Sequence, residues 1–403
     1  MLQLLAATHA TQHATSIDGV VLSLGHSVAD LKDEWMRLEQ AGFSTIFQSY
    51  AWCVTWENSP LSRQYGEVSI LVGRDIHGEV LFILPLQRRH VAGLVVVEVL
   101  STHIASYGHG VWHNWCHSQD GKRWFDSHID EMFAVLGKVD VIALHDMPAT
   151  LAGVHHPLAP CFNVRSSNNA YTLNLPKSYQ TLLESKRSPD SRKNIRWRDN
   201  KLAAAGLLEF ETELLGAEQS DALGELFDDQ KTRLGESGIS DPFGPEERLF
   251  FHKLLLCTET NTRIQIARLK LNSHGISSIL AARHGNTCTD LMTSLALTGY
   301  RKYSPGDLAL RRLMQHCCSS GITHFDLSVG ESNYKKKWAD ESVELFHIIK
   351  GRTLKGRIYA LYLQSGQFLR RMVKNNEKLK ALFYGFRRRM FARQAIGNRS
   401  KSR

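Results

Sequence analysis

Several signatures that would classify this chain quickly are missing. No run approaches the roughly 18 uninterrupted apolar residues of a membrane span. The opening MLQLLAATHATQHATS lacks a basic n-region, so it does not read as a secretory signal. There is no P-loop or Rossmann fingerprint, and neither Ser16 nor Ser101 stands in a nucleophile-elbow setting. The seven cysteines form no C-x-x-C pair and are odd in number, which suits reduced thiols in a cytoplasm. Acid is almost absent from the C-terminus: residues 351–403 hold 15 Lys/Arg and one carboxylate, Glu377. That leaves 34 basic against 39 acidic residues in 1–350, a net of −5, although the whole chain carries +9. The globular body is mildly acidic, so the charge does not indicate a DNA-binding core.

What is present is an ordinary soluble composition, 43% hydrophobic and 22% charged, over 403 residues. That length exceeds one average core and implies two domains, expected at 1–165 and 166–350, with a basic amphipathic tail at 351–403. In the first half, VVLSL and LKDEWMRLEQ read as a strand and a helix, and Phe47, Tyr50, Trp52 and Trp56 as a core-facing aromatic stripe. Val68–Arg74 and Val80–Arg88 read as a hairpin across His77-Gly78. The second half repeats the theme with Arg263–Leu271 and Ile276–Gly285 across His274-Gly275, which hints at a duplication. A strand at Cys288–Leu297, a helix at Asp307–Gly321 and strands at ITHFDLSVG and Val343–Ile349 complete an antiparallel-rich α/β layout.

Candidate chemistry concentrates late in the chain. Between a strand and a helix lies GYRKYSPGD, where free N–H groups at a helix start make an anion site. Arg301, Lys302, Tyr303, Ser304 and Gly306 would hold a phosphate there; a turn capped by Ser304 or Asp307 with solvated basic residues is the alternative. FDLSVGESNYKKKWAD brings Asp326, Glu331, Tyr334 and Lys335 to the end of the next strand. Arg192, Lys193, Arg196, Arg198 and Lys201 surround Trp197 on a helix that steers an anion or is a solvated face. His109, His113 and His117 recur every four residues, but Gly108 and Gly110 argue against a helix carrying three zinc ligands, and no metal is expected.

These motifs resemble the GNAT acyltransferases, and within them the BioF2-like or CelD-like branch related to FemAB transferases. The resemblance spans roughly residues 20–350. It is carried by W-x-x-L…FQS-x-x-W (Trp35, Leu38, Phe47–Ser49, Trp52), SRKNIRW, K-x-R (Lys231, Arg233), RKYSPGDLAL and FDLSVGESNYKKKW. It implies a mixed α/β fold of tandem GNAT-like domains and acetyl-CoA or another acyl-CoA as co-substrate. The Arg301–Gly306 loop would then hold the pyrophosphate, where Pro305 leaves one N–H donor fewer than the family loop. Asp326 or Glu331 would be the base, Tyr334 the acid for the leaving thiolate, and Lys335 would polarise the carbonyl. Arg192, Arg196, Trp197, Lys231 and Arg233 would meet the substrate, a small amine or glycan acceptor in exopolysaccharide or cellulose production. Two other readings stay open: an aminoacyl-tRNA-dependent FemAB-like transferase, and a catalytically silent scaffold. The expected location is the cytoplasm. The tail either rests on anionic lipid at the inner membrane face or packs loosely on the body.

Overall fold

The computed structural model describes residues 14–376, except 213, 237, 259, 297 and 298. The opening stretch and the basic run FYGFRRRMFARQ lie outside the described residues. The chain divides into two compact units. The first contains residues 14–165 and Phe346–Leu363, and the second Ser166–Leu345 and residues 364–376. A return of Phe346–Leu363 to the first unit is invisible in sequence, where 166–350 reads as one block.

In the first unit β1 (Thr15–Ile17) and β2 (Val20–Gly25) precede α1 (Lys32–Ala41), α2 (Tyr50–Glu57) and α3 (Pro60–Tyr65). Ser49 caps α2 by accepting Trp52 N–H, which sends Phe47, Tyr50, Trp52 and Trp56 inward, all buried. β3 (Glu67–Arg74) and β4 (Val80–Val91) form the expected hairpin. Its turn is fixed by Asp75 Oδ1, which accepts the N–H groups of His77 and Glu79, with Gly78 at φ +92°. β5 (Leu94–Val99) follows, then the short β6 (Val111–Trp112), α4 (Gln119–Ala134) and β7 (Val141–Pro148). A two-strand finger, β8 (Thr150–Leu151) with β9 (Val154–His155), ends the run. The sheet order is β1-β2-β3-β4-β5-β7, antiparallel until β5 pairs β7 in parallel. α4 makes that crossover and packs Trp124, Phe125, Met132 and Phe133 into the core.

The second unit repeats this order. β10 (Val164–Asn174) leads to α5 (Tyr179–Lys186), α6 (Pro189–Ala203), β11 (Leu208–Glu211), α7 (Gly216–Glu236) and α8 (Pro245–Leu256). β12 (Thr262–Leu271), β13 (His274–His284) and β14 (Thr287–Leu295) then run antiparallel with β11. The hairpin turn is Asn272-Ser273, both at positive φ as a primed turn requires, two residues before the expected His274-Gly275. α9 (Pro305–Ser319) crosses over to β15 (His324–Val329), parallel to β14. α10 (Asn333–Trp338), β16 (Glu341–Gly351) and α11 (Leu354–Asn375) complete the chain. The same plan, an antiparallel meander closed by a helix and a parallel strand, thus occurs twice, as expected of tandem GNAT-like domains. Cys317 and Cys318 are core residues on α9.

Candidate active site

The second unit's sheet is interrupted where β14 and β15 run side by side. Their parallel ladder holds Thr287–Thr289 against His324–Asp326, and among the described residues it extends no further. Each strand carries an extra residue at that point. On β14, Leu291 is the insertion, because Ala281 faces Asp290 while Leu280 faces Met292. On β15 the three steps from Asp326 to Val329 oppose the two steps from Thr172 to Ala170 on β10, one residue extra. Ser328 accordingly sits at φ +60°, a left-handed backbone inside a strand. Bulges re-aim side chains, and strained backbone of this kind collects at functional sites.

The strain is held by hydrogen bonds among the residues it exposes. Ser328 N–H donates to Asp326 Oδ1 at 2.7 Å, and Ser328 Oγ donates to the Asp290 carbonyl at 2.6 Å. Lys335 Nζ, reaching back from α10, donates to the carbonyls of Val329 (2.9 Å) and Ser328 (3.4 Å). Thr293 Oγ1 lies 3.1 Å from both carboxylate oxygens of Asp290.

Asp290 is the residue sequence reasoning missed. It is only 5% exposed, and burial raises its carboxyl to about 6, against the opposing pull of Lys335 and Thr293. Burial lowers Lys335, with Asp290 and Asp326 working the other way. The Tyr334 phenol is raised, by burial first and then by the Asp290 charge, with Arg233 opposing, so it stays protonated at neutral pH. A group that ionises near neutrality therefore stands beside an ammonium and a neutral phenol, the combination that moves protons. One signal was available: an acid inside a buried strand, three residues before a Thr.

The expected catalytic residues divide. Asp326 is buried, accepts the Ser328 N–H and acts on Lys335. Tyr334 and Lys335 both lie within the field of the Asp290 carboxylate. Glu331 is engaged elsewhere, paired with Lys336 (3.4 Å) and Lys374 (3.6 Å). Of the K-x-R pair, Arg233 acts on Tyr334, whereas Lys231 lines a separate pocket with Asp228, Thr232 and Asp241.

The loop before α9 differs from the expected anion nest. Ser304 precedes the helix at φ +56° without a side-chain cap, and its Oγ accepts from Arg198 Nη1 at 2.9 Å. The N–H groups of Asp307 and Leu308 already donate to the Ser304 carbonyl, and Pro305 has none. Gly306 N–H is what the first turn has left among the described residues. A Cβ there would meet Leu295 Cδ2 at 2.8 Å, so glycine lets the turn sit on β14. Arg301 pairs with Glu236 at 3.0 Å.

Positive charge collects instead where α6 meets the loop. A pocket of about 490 Å³ is lined by Lys201, Ala204, Ala205, Gly299, Tyr300, Lys302 and Tyr303. Trp197, 54% exposed, meets Tyr303 edge-on at 6.1 Å, and Lys302 Nζ lies 5.1 Å from the Tyr303 ring. The basic helix and the loop are thus one surface, with Arg192 and Arg196 further along α6; Arg196 is exposed, while Arg192 donates to the Arg187 carbonyl. Lys201 and Lys302 fit the phosphates of a nucleotide-bearing donor better than the helix start does. In the first unit, His109 precedes β6, His113 caps a short 3-10 helix and His117 ends it, so the three do not share an α-helix face, and no group of three or more metal-ligating side chains occurs among the described residues.

Residues 189–336 match the family described as the acetyltransferase (GNAT) domain. No curated protein matches the chain. Among solved structures, FemX aligns over 87% of this chain and 99% of its own, at 12% identity and a TM-score of 0.51. The C-terminal domain of a putative lysylphosphatidylglycerol synthetase from Agrobacterium fabrum aligns over 85% and 97%, at 11% identity and a TM-score of 0.50. What these share with the chain is the fold. Residues 189–336 thus match an acetyltransferase-type (GNAT) domain, in a chain whose fold is similar to that of FemX.

Proposed function

We propose that the chain is an N-acyltransferase that moves an acyl group, acetyl in the simplest case, from acyl-CoA to an amine. The observation that carries this reading is the Asp290 carboxyl, raised to about 6 beside Lys335 and Tyr334 where β14 and β15 part. Direct transfer requires an acceptor amine without its proton, a stabilised oxyanion and a proton for the departing thiolate. Asp290 takes the proton from the acceptor ammonium. The nitrogen then bonds to the thioester carbonyl carbon, and the carbon–sulfur bond breaks as the oxyanion collapses. Tyr334 gives its proton to the sulfur and recovers one from the bonded nitrogen, which sheds its second proton to become the amide, while Asp290 returns its own proton to solvent. Lys335, tied to the Ser328 and Val329 carbonyls, supplies positive charge beside the reacting carbonyl. Asp326 shapes the Ser328 turn that presents these groups, and Lys201 and Lys302 take the donor's phosphates. A place in exopolysaccharide or cellulose production rests on the resemblance of RKYSPGDLAL and FDLSVGESNYKKKW to the CelD-like branch.

Calorimetry with acetyl-CoA tests the donor. Binding in the micromolar to millimolar range is expected, weakened at least tenfold by Lys201→Glu with Lys302→Glu. No heat at millimolar ligand from folded protein would sink the CoA reading. The sparse N–H supply before α9 and the exposed Trp197 on basic α6 favour one alternative donor, aminoacyl-tRNA. That reading requires tRNA binding that falls steeply with salt and is lost on charge reversal at Arg192 and Arg196.

A further inference from the structure

Helix α11 has two faces of opposite character. One is docked: Gly356 and Ala360 are buried, and Tyr359 and Leu363 pack with Leu94, Val96, Val141, Ala143 and Ile349. The other holds Leu354 (79% exposed), Ile358, Leu361, Tyr362, Phe368 (63%), Leu369 and Met372, all in solvent. At about 100° per residue these seven side chains fall within a stripe roughly 120° wide, running the length of the helix. Ser365 is the one polar residue inside it. Seven large exposed apolar groups in a continuous row exceed the scattered exposure normal for a protein surface.

The charges around the stripe choose its occupant. Residues 352–375 contain Arg352, Lys355, Arg357, Arg370, Arg371 and Lys374 and no acid. Arg357 stands at one edge, as a basic side chain does when its stem lies along lipid and its head reaches the phosphates, while Lys355 at the other edge is held by Asp140 and the Gly93 carbonyl. Among the described residues, Arg357, Arg370 and Arg371 have no carboxylate partner. Two copies of the helix meeting stripe to stripe would oppose cation to cation, with nothing on the helix to neutralise them. An anionic surface removes that conflict and covers the apolar row. No helix among the described residues is long and apolar enough to cross a membrane, so α11 would lie along the interface.

We propose that α11 seats this chain on anionic phospholipid, with Leu354, Ile358, Leu361, Tyr362, Phe368, Leu369 and Met372 inserted below the headgroups. The test is co-sedimentation of the full chain with vesicles of pure phosphatidylcholine and of phosphatidylcholine with about one-quarter phosphatidylglycerol. The anionic vesicles are expected to bind at least about tenfold more protein, by an amount that shrinks as salt rises. Phe368→Glu with Leu369→Glu should remove binding without changing the melting temperature, because both side chains are already in solvent. Arg370→Glu with Arg371→Glu should abolish the preference for phosphatidylglycerol. Equal, negligible binding to both vesicles would overturn the proposal. So would a lipid-free dimer, seen by light scattering, that Phe368→Glu with Leu369→Glu turns into monomer, since the stripe would then be a self-association face.

Discussion

Replacing Asp290 by Asn is expected to stabilise the chain and to remove its activity. The carboxyl titrates near 6 in the folded protein and near 3.9 in an unfolded one. The folded state therefore holds its proton more tightly. The carboxyl costs nothing below about 3.9, and its penalty grows as pH rises through 6. Two units correspond to about 3 kcal/mol at neutral pH. An amide gives back part of that gain, because Thr293 loses one of its two acceptors. The net gain for Asp290→Asn is expected at about 1–3 kcal/mol at pH 7.5, shrinking towards zero near pH 4. Urea denaturation of both proteins at these two pH values measures it. Activity should move oppositely: kcat/KM falls about 10²–10⁴-fold, and the acidic limb of the native protein's profile, centred near 6, disappears. If Asp290→Asn keeps that limb, another group is the base.

The sequence made the architecture legible because the second unit announces its elements by period and punctuation. Alternation over Arg263–Leu271, leucine spacing along α9 and Gly321 at its end are local signals, and the observed strands and helix follow them. Tyr334 and Lys335 were legible as candidates for the same reason, since they open a short helix after a strand. Asp290 was not. Its importance comes from a bulge at Leu291 and a second at Ser328, and bulges belong to the pairing of strands rather than to either strand's sequence. The backbone of the loop before α9 was not legible either, because the left-handed conformation of Ser304 and its bond to Arg198 depend on α6 packing alongside. One of the two partners of Glu331, Lys374, lies 43 residues away on α11, beyond the reach of a local reading. α8, an apolar segment with a low helical period, drew no prediction, although Phe250, Phe251, Leu254 and Leu255 are core residues.

The alignment of α6 with α9 depends on Arg311, and Arg311→Ala is expected to cost more stability than any surface change in this chain. Its guanidinium is 7% exposed and bridges three carboxylate oxygens. Nη1 and Nη2 meet both oxygens of Asp199 on α6, at 2.9 and 2.6 Å, and Nε meets Asp307 in the first turn of α9 at 3.1 Å. Burial alone would lower its pKa, but Asp199 and Asp307 outweigh burial and raise it, so the group is permanently charged. Removing it leaves Asp199 and Asp307 without the guanidinium that bridges them, a loss of about 3–5 kcal/mol. For a domain of this size that lowers the melting temperature by about 10 °C or more. Arg311→Met combined with Asp199→Leu removes both sides of the main pair and should cost much less, because an apolar contact replaces the ion pair. The same clamp holds Lys201 and Lys302 at one pocket, so Arg311→Ala should raise KM for the donor several-fold in the protein that remains folded. A melting temperature within about 2 °C of the native value would show that the clamp is not what fixes α6 against α9.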